Sequence, residues 1–308
     1  MQDVIHVERA DTERQRREIR ENGFCIIKDA LFPAQTDAML ERLEQQADAE
    51  LAQGVTKFDA PEQPDEEITQ WVAMLPNKGS CFLDMAVNPP VYDLARHFIG
   101  EECIVSDLSA RITKPGSQAM NLHTDQWWHP QSAIPGEAGQ PIGAVTRSSV
   151  IEDQPGEALP APARRPIPPM VTLTTIYALV DIPIDMGPTR FVRASHLSGK
   201  QPDPNLNYDD VAPEVARGSA VVFDGRTWHG AAANVSDKIR YTTIMAYTGP
   251  QFRPILNFPF GLRSDVAASL TDAQKKVLGF KIWNGYGATN DFSSTFATPG
   301  SQNIGELT

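Results

Sequence analysis

Cysteine is scarce in this chain. Cys25, Cys81 and Cys103 are odd in number and show no CxxC spacing, which argues against a disulfide framework and against a thiolate zinc site. Long apolar runs are also missing. No stretch approaches the ~18 residues a membrane span needs. Residues 7–22, where the apolar part of a secretory signal would lie, are heavily charged. Positive charge is in deficit, with 27 Lys and Arg against 39 Asp and Glu and a net charge of −12. Nucleic acid phosphates would be repelled by such a chain. These absences point to a soluble cytoplasmic protein with reduced thiols, no membrane association and no nucleic acid partner, and they disfavour a large polyanionic substrate, leaving a small-molecule substrate to be argued from the site residues.

What is present is enough for a sizeable core. Hydrophobic residues make up 41% of the 308, and β-sandwich and barrel enzymes of about 250 residues commonly fold as one domain. The expectation is a single domain over 1–308, with a mostly helical layer over 1–100, a β core over 101–250 and a C-terminal extension over 251–308. Residues 12–22 read as a charged helix stopped by Gly23, followed by a short strand Phe24–Ile27. Residues 34–53 read as a second helix with Met39, Leu40, Leu43, Ala47 and Leu51 on one face, and 56–67 as loop. Asn88 is the expected N-cap of a third helix, with Pro89 in its first turn and Gly100 beyond its end.

After Gly100 the period changes to two. Ile104, Ser106, Leu108, Ala110 and Ile112 alternate with Val105, Asp107, Ser109 and Arg111; which face carries Arg111 is not assigned by the pattern. Lys114-Pro115-Gly116 is a turn, and a strand over 118–123 is expected to follow it. Further strands are expected over 171–180, 219–223, 228–232 and 240–247. Short strands without long intervening helices indicate a mainly β sandwich or barrel with flanking helices. Between the two groups of strands, the segment 130–170 holds nine of the 25 prolines. A connection this long in a compact domain is usually a functional lid or disordered. Because it departs directly from His123-Thr124-Asp125, a lid is expected, with a passive surface insertion as the alternative.

His123 and Asp125 at i and i+2 on a strand point to one side. An isolated HxD is common, but His229 and Arg240 change its meaning. Two imidazoles and one carboxylate hold non-haem Fe(II) on one face and leave positions open for chemistry. A nearby guanidinium suits the far carboxylate of a 2-oxo acid. Asn234-Val235-Ser236-Asp237 reads as a hairpin turn that sets His229 and Arg240 on neighbouring strands facing one cavity.

On these residues the chain resembles the phytanoyl-CoA dioxygenase (PhyH-like) family of Fe(II)/2-oxoglutarate oxygenases. The likeness is carried by Leu122-His123-Thr124-Asp125, by Asp185-Met186-Gly187-Pro188-Thr189-Arg190 running to Ala194-Ser195-His196, and by Trp228-His229-Gly230 with Arg240. Gly23-Phe24-Cys25-Ile26-Ile27 echoes the family's N-terminal strand, so the resemblance covers roughly residues 15–250. It implies a double-stranded β-helix, the cupin-like jelly roll. It also implies Fe(II) held by His123, Asp125 and His229, 2-oxoglutarate held by Arg240 with Thr189 as a supplementary hydroxyl, and O2 as co-substrate. The implied reaction decarboxylates 2-oxoglutarate to succinate and oxidises a small organic metabolite of secondary metabolism, by default through hydroxylation. Asp125 disfavours halogenation, because related halogenases lack the carboxylate ligand. The chain departs from common family patterns at Met120, Ala194 and Ala231.

Trp127 and Trp128 are candidates for an apolar substrate pocket, against an ordinary core role. His129 reads as a loop residue, His196 as part of a structural turn, and His6 and His97 as surface or helix packing. Arg147, Arg164 and Arg165 read as solvated loop charges. Two alternatives stand beside the metabolite oxygenase. An acyl-CoA hydroxylase of the same family is disfavoured by the lack of a concentrated basic patch. A non-catalytic jelly-roll binding module is disfavoured by four converging polar groups, each of which would be costly if unpaired.

Overall fold

The computed structural model describes residues 5–126, 169–289 and 293–298. In chain order its elements are β1 (His6–Val7), α1 (Thr12–Asn22), β2 (Phe24–Ile27), α2 (Pro33–Ala52), β3 (Thr69–Val72), α3 (Ser80–Leu83), α4 (Val91–Phe98), β4 (Ile104–Thr113), β5 (Thr172–Ala178), β6 (Thr189–Val192), β7 (Asp210–Val211), β8 (Ala220–Asp224), β9 (His229–Ala231), β10 (Arg240–Thr248), α5 (Phe258–Gly261), α6 (Ser264–Ser269) and α7 (Asp272–Val277). Ten strands form two sheets among the described residues. The large one runs β1-β2-β8-β5-β10-β4-β3 and the small one β7-β6-β9. This is a jelly roll with helices along one side.

The alternation of the strands divides the interior in two. Cys25, Ile27, Leu108, Tyr177, Val222 and Tyr247 point out of the large sheet and pack with Ile19, Met39, Leu43 and Leu94 from the helices. Their neighbours Phe24, Ile26, Val221 and Phe223 point the other way and meet Phe191 and Met186 from the small-sheet side. Side chains on a strand alternate faces, so each central strand serves both cores. Strands β5, β8 and β10 are therefore buried almost throughout. The C-terminal residues Phe258, Leu270, Val277 and Phe280 close the same helical core.

Local chemistry sets the element ends. Asp11 caps α1 by accepting from the backbone N–H of Arg14 at 3.1 Å, and Gly23 ends it in the left-handed region at φ 89°. A side chain at Gly23 would meet Thr227 Oγ1 at 2.5 Å, so glycine is required there on both conformational and steric grounds. The turn delivers β2 directly into the large sheet against β8.

Four expectations need correction. The third helix starts at Val91, not after Asn88: the Asn88 amide is turned inward, donating to Ala30 O at 3.1 Å, and a residue before proline disfavours helical backbone. The segment 118–123 is not a strand. Side chains take several of its backbone partners instead, with Gln118 N donating to Gln63 Oε1, Asn121 N to Glu62 Oε1, and Arg190 donating to Met120 O. Two backbone contacts tie it to β9: His123 bridges His229, and Met120 N donates to Ala231 O at 2.9 Å. Strand β3, four residues at the sheet edge, lies beyond the polar loop and was not foreseen. Finally, β9 and β10 are not a hairpin, since they belong to different sheets. The chain between them crosses the sandwich at buried Asn234, whose amide reaches Thr113 O and Lys238 O.

Candidate metal centre and its cavity

The short strand β9 places His229 at the inner edge of the small sheet. There it bridges His123 through a reciprocal pair of backbone hydrogen bonds of 2.9 and 3.0 Å. This pairing needs a close approach: a Cβ on Gly230 would stand 2.8 Å from Met120 O. Two residues on, the backbone N–H groups of Asp125 and Gln126 both donate to Gly225 O. Asp125 is thereby held opposite the paired histidines.

The donor atoms converge. Asp125 Oδ1 lies 3.8 Å from His123 Nε2 and 3.6 Å from His229 Nε2, and all three ligand atoms lie within 4.8 Å of one another. Donors about 2.1 Å from one cation and at right angles to each other would be about 3 Å apart, so a modest inward adjustment closes the cluster on a single ion. The outer atoms are already engaged. His229 Nδ1 faces Thr227 O at 2.9 Å and His123 Nδ1 faces Asn121 O at 3.1 Å, which places the protons on Nδ1 and frees the Nε2 lone pairs. Asp125 Oδ2 accepts from Thr174 Oγ1 at 2.6 Å, leaving Oδ1 for the cation. His229 is wedged against Phe223, with ring centroids 4.4 Å apart, and burial lowers its pKa. A neutral imidazole is the metal-binding form. The donor set and its supports fit a ferrous ion.

Arg240, at the start of β10, opens onto the same 610 Å³ cavity. It is 8% exposed, donates to the carbonyls of Met186 and Gly187 and to Thr113 Oγ1, and has no carboxylate partner among the described residues. Burial alone pulls its pKa down to about 10. Interior cations are normally paired, so this guanidinium is set to receive an anion from the cavity. Thr189 on β6 lines the cavity as well. Met120 and Ala231 also line it, and Ala194 lies outside, in a left-handed turn at φ 55°.

His123, Asp125, His229, Arg240 and Thr189 thus share one cavity. The pocket candidates Trp127 and Trp128 lie outside the described residues, as do His129, Arg147, Arg164, Arg165 and all but the last two residues of the 130–170 insertion. His196 sits in a buried turn with Nε2 facing Arg20 O at 3.0 Å, as its structural reading expects. Sequence reasoning missed Thr174 and Thr113, which support Asp125 and Arg240. Their only signal was placement on cavity-facing strands whose order was not yet known.

A jelly roll with this cluster and this arginine is a non-haem iron, 2-oxoglutarate-dependent dioxygenase. Residues 19–242 match the phytanoyl-CoA dioxygenase (PhyH) family, and the chain belongs to that family. Among named relatives, Dioxygenase af480 of Aspergillus fumigatus is 27% identical over 279 residues, covering 90% of this chain and 79% of the relative. Among solved structures, the epimerase SnoN in complex with Fe3+, α-ketoglutarate and nogalamycin RO superposes with a TM-score of 0.56 at 20% identity, covering 80% of this chain and 87% of the other. HygX from Streptomyces hygroscopicus with nickel, 2-oxoglutarate and hygromycin B superposes with a TM-score of 0.54 at 14% identity, covering 78% and 88%. Among the described residues, no helix is long and apolar enough to cross a membrane.

Proposed function

We propose that the chain is a single-domain oxygenase that uses 2-oxoglutarate to hydroxylate an unactivated C–H bond of a small, largely apolar organic metabolite. The carrying observation is that His123, Asp125 and His229 converge in the same cavity as an arginine that has no carboxylate partner among the described residues. His123 and His229 offer Nε2 and Asp125 offers Oδ1, a set that suits ferrous iron. Iron bound there supplies dioxygen activation coupled to the decarboxylation of 2-oxoglutarate to succinate and CO2. Arg240 forms a charge-assisted pair with the distal carboxylate, and the hydroxyls of Thr113 and Thr189 flank it. Thr174 holds the Asp125 carboxylate in orientation, while Phe223 and Val221 keep the His229 side of the cavity dry.

The cavity supports the substrate class. Its volume falls in the range of small-molecule sites, about 300–1,000 Å³, and Ile176, Val221, Phe223, Ile244, Ala246 and Ile255 line much of it. The structures of SnoN and HygX hold the small molecules nogalamycin RO and hygromycin B, which favours a role in secondary metabolism. Against an acyl-CoA substrate, the cavity carries acidic Asp59, Glu62 and Asp107 as well as arginines. The test is succinate formation from 2-oxoglutarate with Fe(II) and oxygen, followed by a mass-spectrometric screen of candidate metabolites for +16 or −2 Da products. No succinate above a metal-free control contradicts the proposal.

A further inference from the structure

Across the large sheet from the metal cluster, the cavity wall contains a carboxylate that the reaction does not use. Asp107 on β4 lines the cavity and is only 8% exposed. Its Oδ2 accepts from Ser109 Oγ at 2.9 Å, whereas its Oδ1 is buried and has no hydrogen-bond partner among the described residues. Buried polar atoms in native proteins are nearly always paired, and an unmatched carboxylate oxygen is among the most costly exceptions. Among the described residues no salt bridge reaches it: Arg111, four residues along the strand, directs its guanidinium to Asp59 at 3.0 Å and acts on Asp107 only through its charge. Burial pushes the Asp107 carboxyl up to about 6, against the opposing pull of the Ser109 hydroxyl and the Arg111 charge.

The register shows what such a group can reach. Asp107 stands opposite Ala246 of β10, and Ala246 stands opposite Thr174 of β5, the residue that grips Asp125. Neighbouring strands are about 4.8 Å apart, so Asp107 lies roughly 10 Å across the sheet from the support of the metal cluster. Between them the wall is Ala246 flanked by Ile244 and Ile176. The row therefore runs from an unmatched acceptor across an apolar floor to the cluster.

We propose that Asp107 is a substrate-recognition residue: its Oδ1 accepts a hydrogen bond from a hydroxyl or amine on an otherwise apolar substrate, fixing which carbon faces the metal cluster. This rests on the oxygenase reading above. It predicts a substrate with a hydrogen-bond donor about one strand pair away from the oxidised carbon, and it assigns regiochemistry to β4 rather than to the metal ligands.

The test uses 1-adamantanol, 1-adamantylamine and 1-methoxyadamantane, three rigid probes that differ only in the polar group. Binding is measured by ligand-observed NMR on the metal-free protein with 2-oxoglutarate, so that it does not depend on turnover. The wild type should bind the alcohol or the amine about tenfold more tightly than the ether, and the better of the two identifies the donor. Asp107→Ala should reduce this preference to within about twofold. Asp107→Asn, which keeps an acceptor oxygen, should retain a preference of about threefold and guards against a misfolded alanine variant. No probe binding, equal binding of all three, or a full preference surviving in Asp107→Ala overturns the proposal. A parallel anoxic measurement of the Fe(II)/2-oxoglutarate visible band separates the two readings. A normal band without a donor preference sinks the role of Asp107 alone, whereas a donor preference without a band sinks the oxygenase reading and leaves the recognition site standing.

Discussion

Thr174 donates a 2.6 Å hydrogen bond to Asp125, occupying one carboxylate oxygen and turning the other toward the two imidazoles. The bond joins the central strand of the large sheet to the segment that carries the metal cluster. Groups that orient ligands in this way tune metal affinity by about 10- to 100-fold. Thr174→Val, nearly the same shape without the hydroxyl, should weaken Fe(II) binding by that factor while leaving the melting temperature within a few degrees. Anoxic Fe(II) titration measures it. Unchanged affinity would show that the carboxylate is oriented by its backbone alone.

Arg240 should act on the co-substrate and not on the metal. Arg240→Gln removes the cation and keeps a polar group of moderate size. A charge-assisted hydrogen bond contributes about 1.5–3 kcal/mol, so half-saturation by 2-oxoglutarate should rise about ten- to a hundredfold with Fe(II) affinity unchanged. Steady-state succinate formation against 2-oxoglutarate concentration gives the answer. An equal loss of both affinities would point to collapse of the cavity rather than loss of an anion partner.

Gly230 makes room for the backbone of Met120 and Asn121. A Cβ there would meet their carbonyl oxygens at 2.8 and 3.0 Å. Gly230→Ala should push the His123 segment off β9 and cost about 1–3 kcal/mol of stability, as overpacking does. Weakened Fe(II) binding should accompany the loss, with helical circular dichroism preserved. Retention of both stability and affinity would mean that the segment can retreat without moving His123.

Asp107 should be a stability liability at neutral pH. Its carboxyl is raised from 3.8 to about 6 in the folded chain, so between those values the native state binds a proton that the unfolded state does not. Stability therefore falls as pH rises through that window, and the penalty is complete above about 6. At 1.36 kcal/mol per pKa unit the penalty is about 3 kcal/mol at most. Asp107→Asn should melt higher than the wild type at pH 7.5 and no higher below pH 3.8. Thermal denaturation across pH reads this directly, and a pH-independent difference would contradict it.

Much of this architecture is legible in the sequence. α1, Gly23 and β2 followed from a charged helical run, a glycine stop and four apolar residues, all local signals. β4 and β10 followed from alternation. The local reading broke down where distant chain decided the outcome. The hairpin joining His229 to Arg240 was inferred from turn residues, but sheet membership depends on buried Asn234 and on which partners β9 and β10 find across the sandwich. The candidate metal ligands are visible in the sequence as residue types, yet His123 and Asp125 converge through backbone bonds to β9 and Gly225 rather than through strand alternation. Asp107 read as the polar member of an alternating strand. It is buried because its face of the strand lines the enclosed cavity, while the helical layer covers the opposite face at Leu108, Ala110 and Ile112.

The most direct test of the account is an anoxic titration of Fe(II) and 2-oxoglutarate into the protein, monitored by visible absorption, with the wild type compared with Asp125→Ala and His229→Ala. A weak charge-transfer band in the wild type, lost or greatly reduced in both variants and followed by succinate on admission of oxygen, is the predicted result. A wild type that shows neither band nor succinate, or variants that retain both, would contradict the assignment of the metal centre to His123, Asp125 and His229.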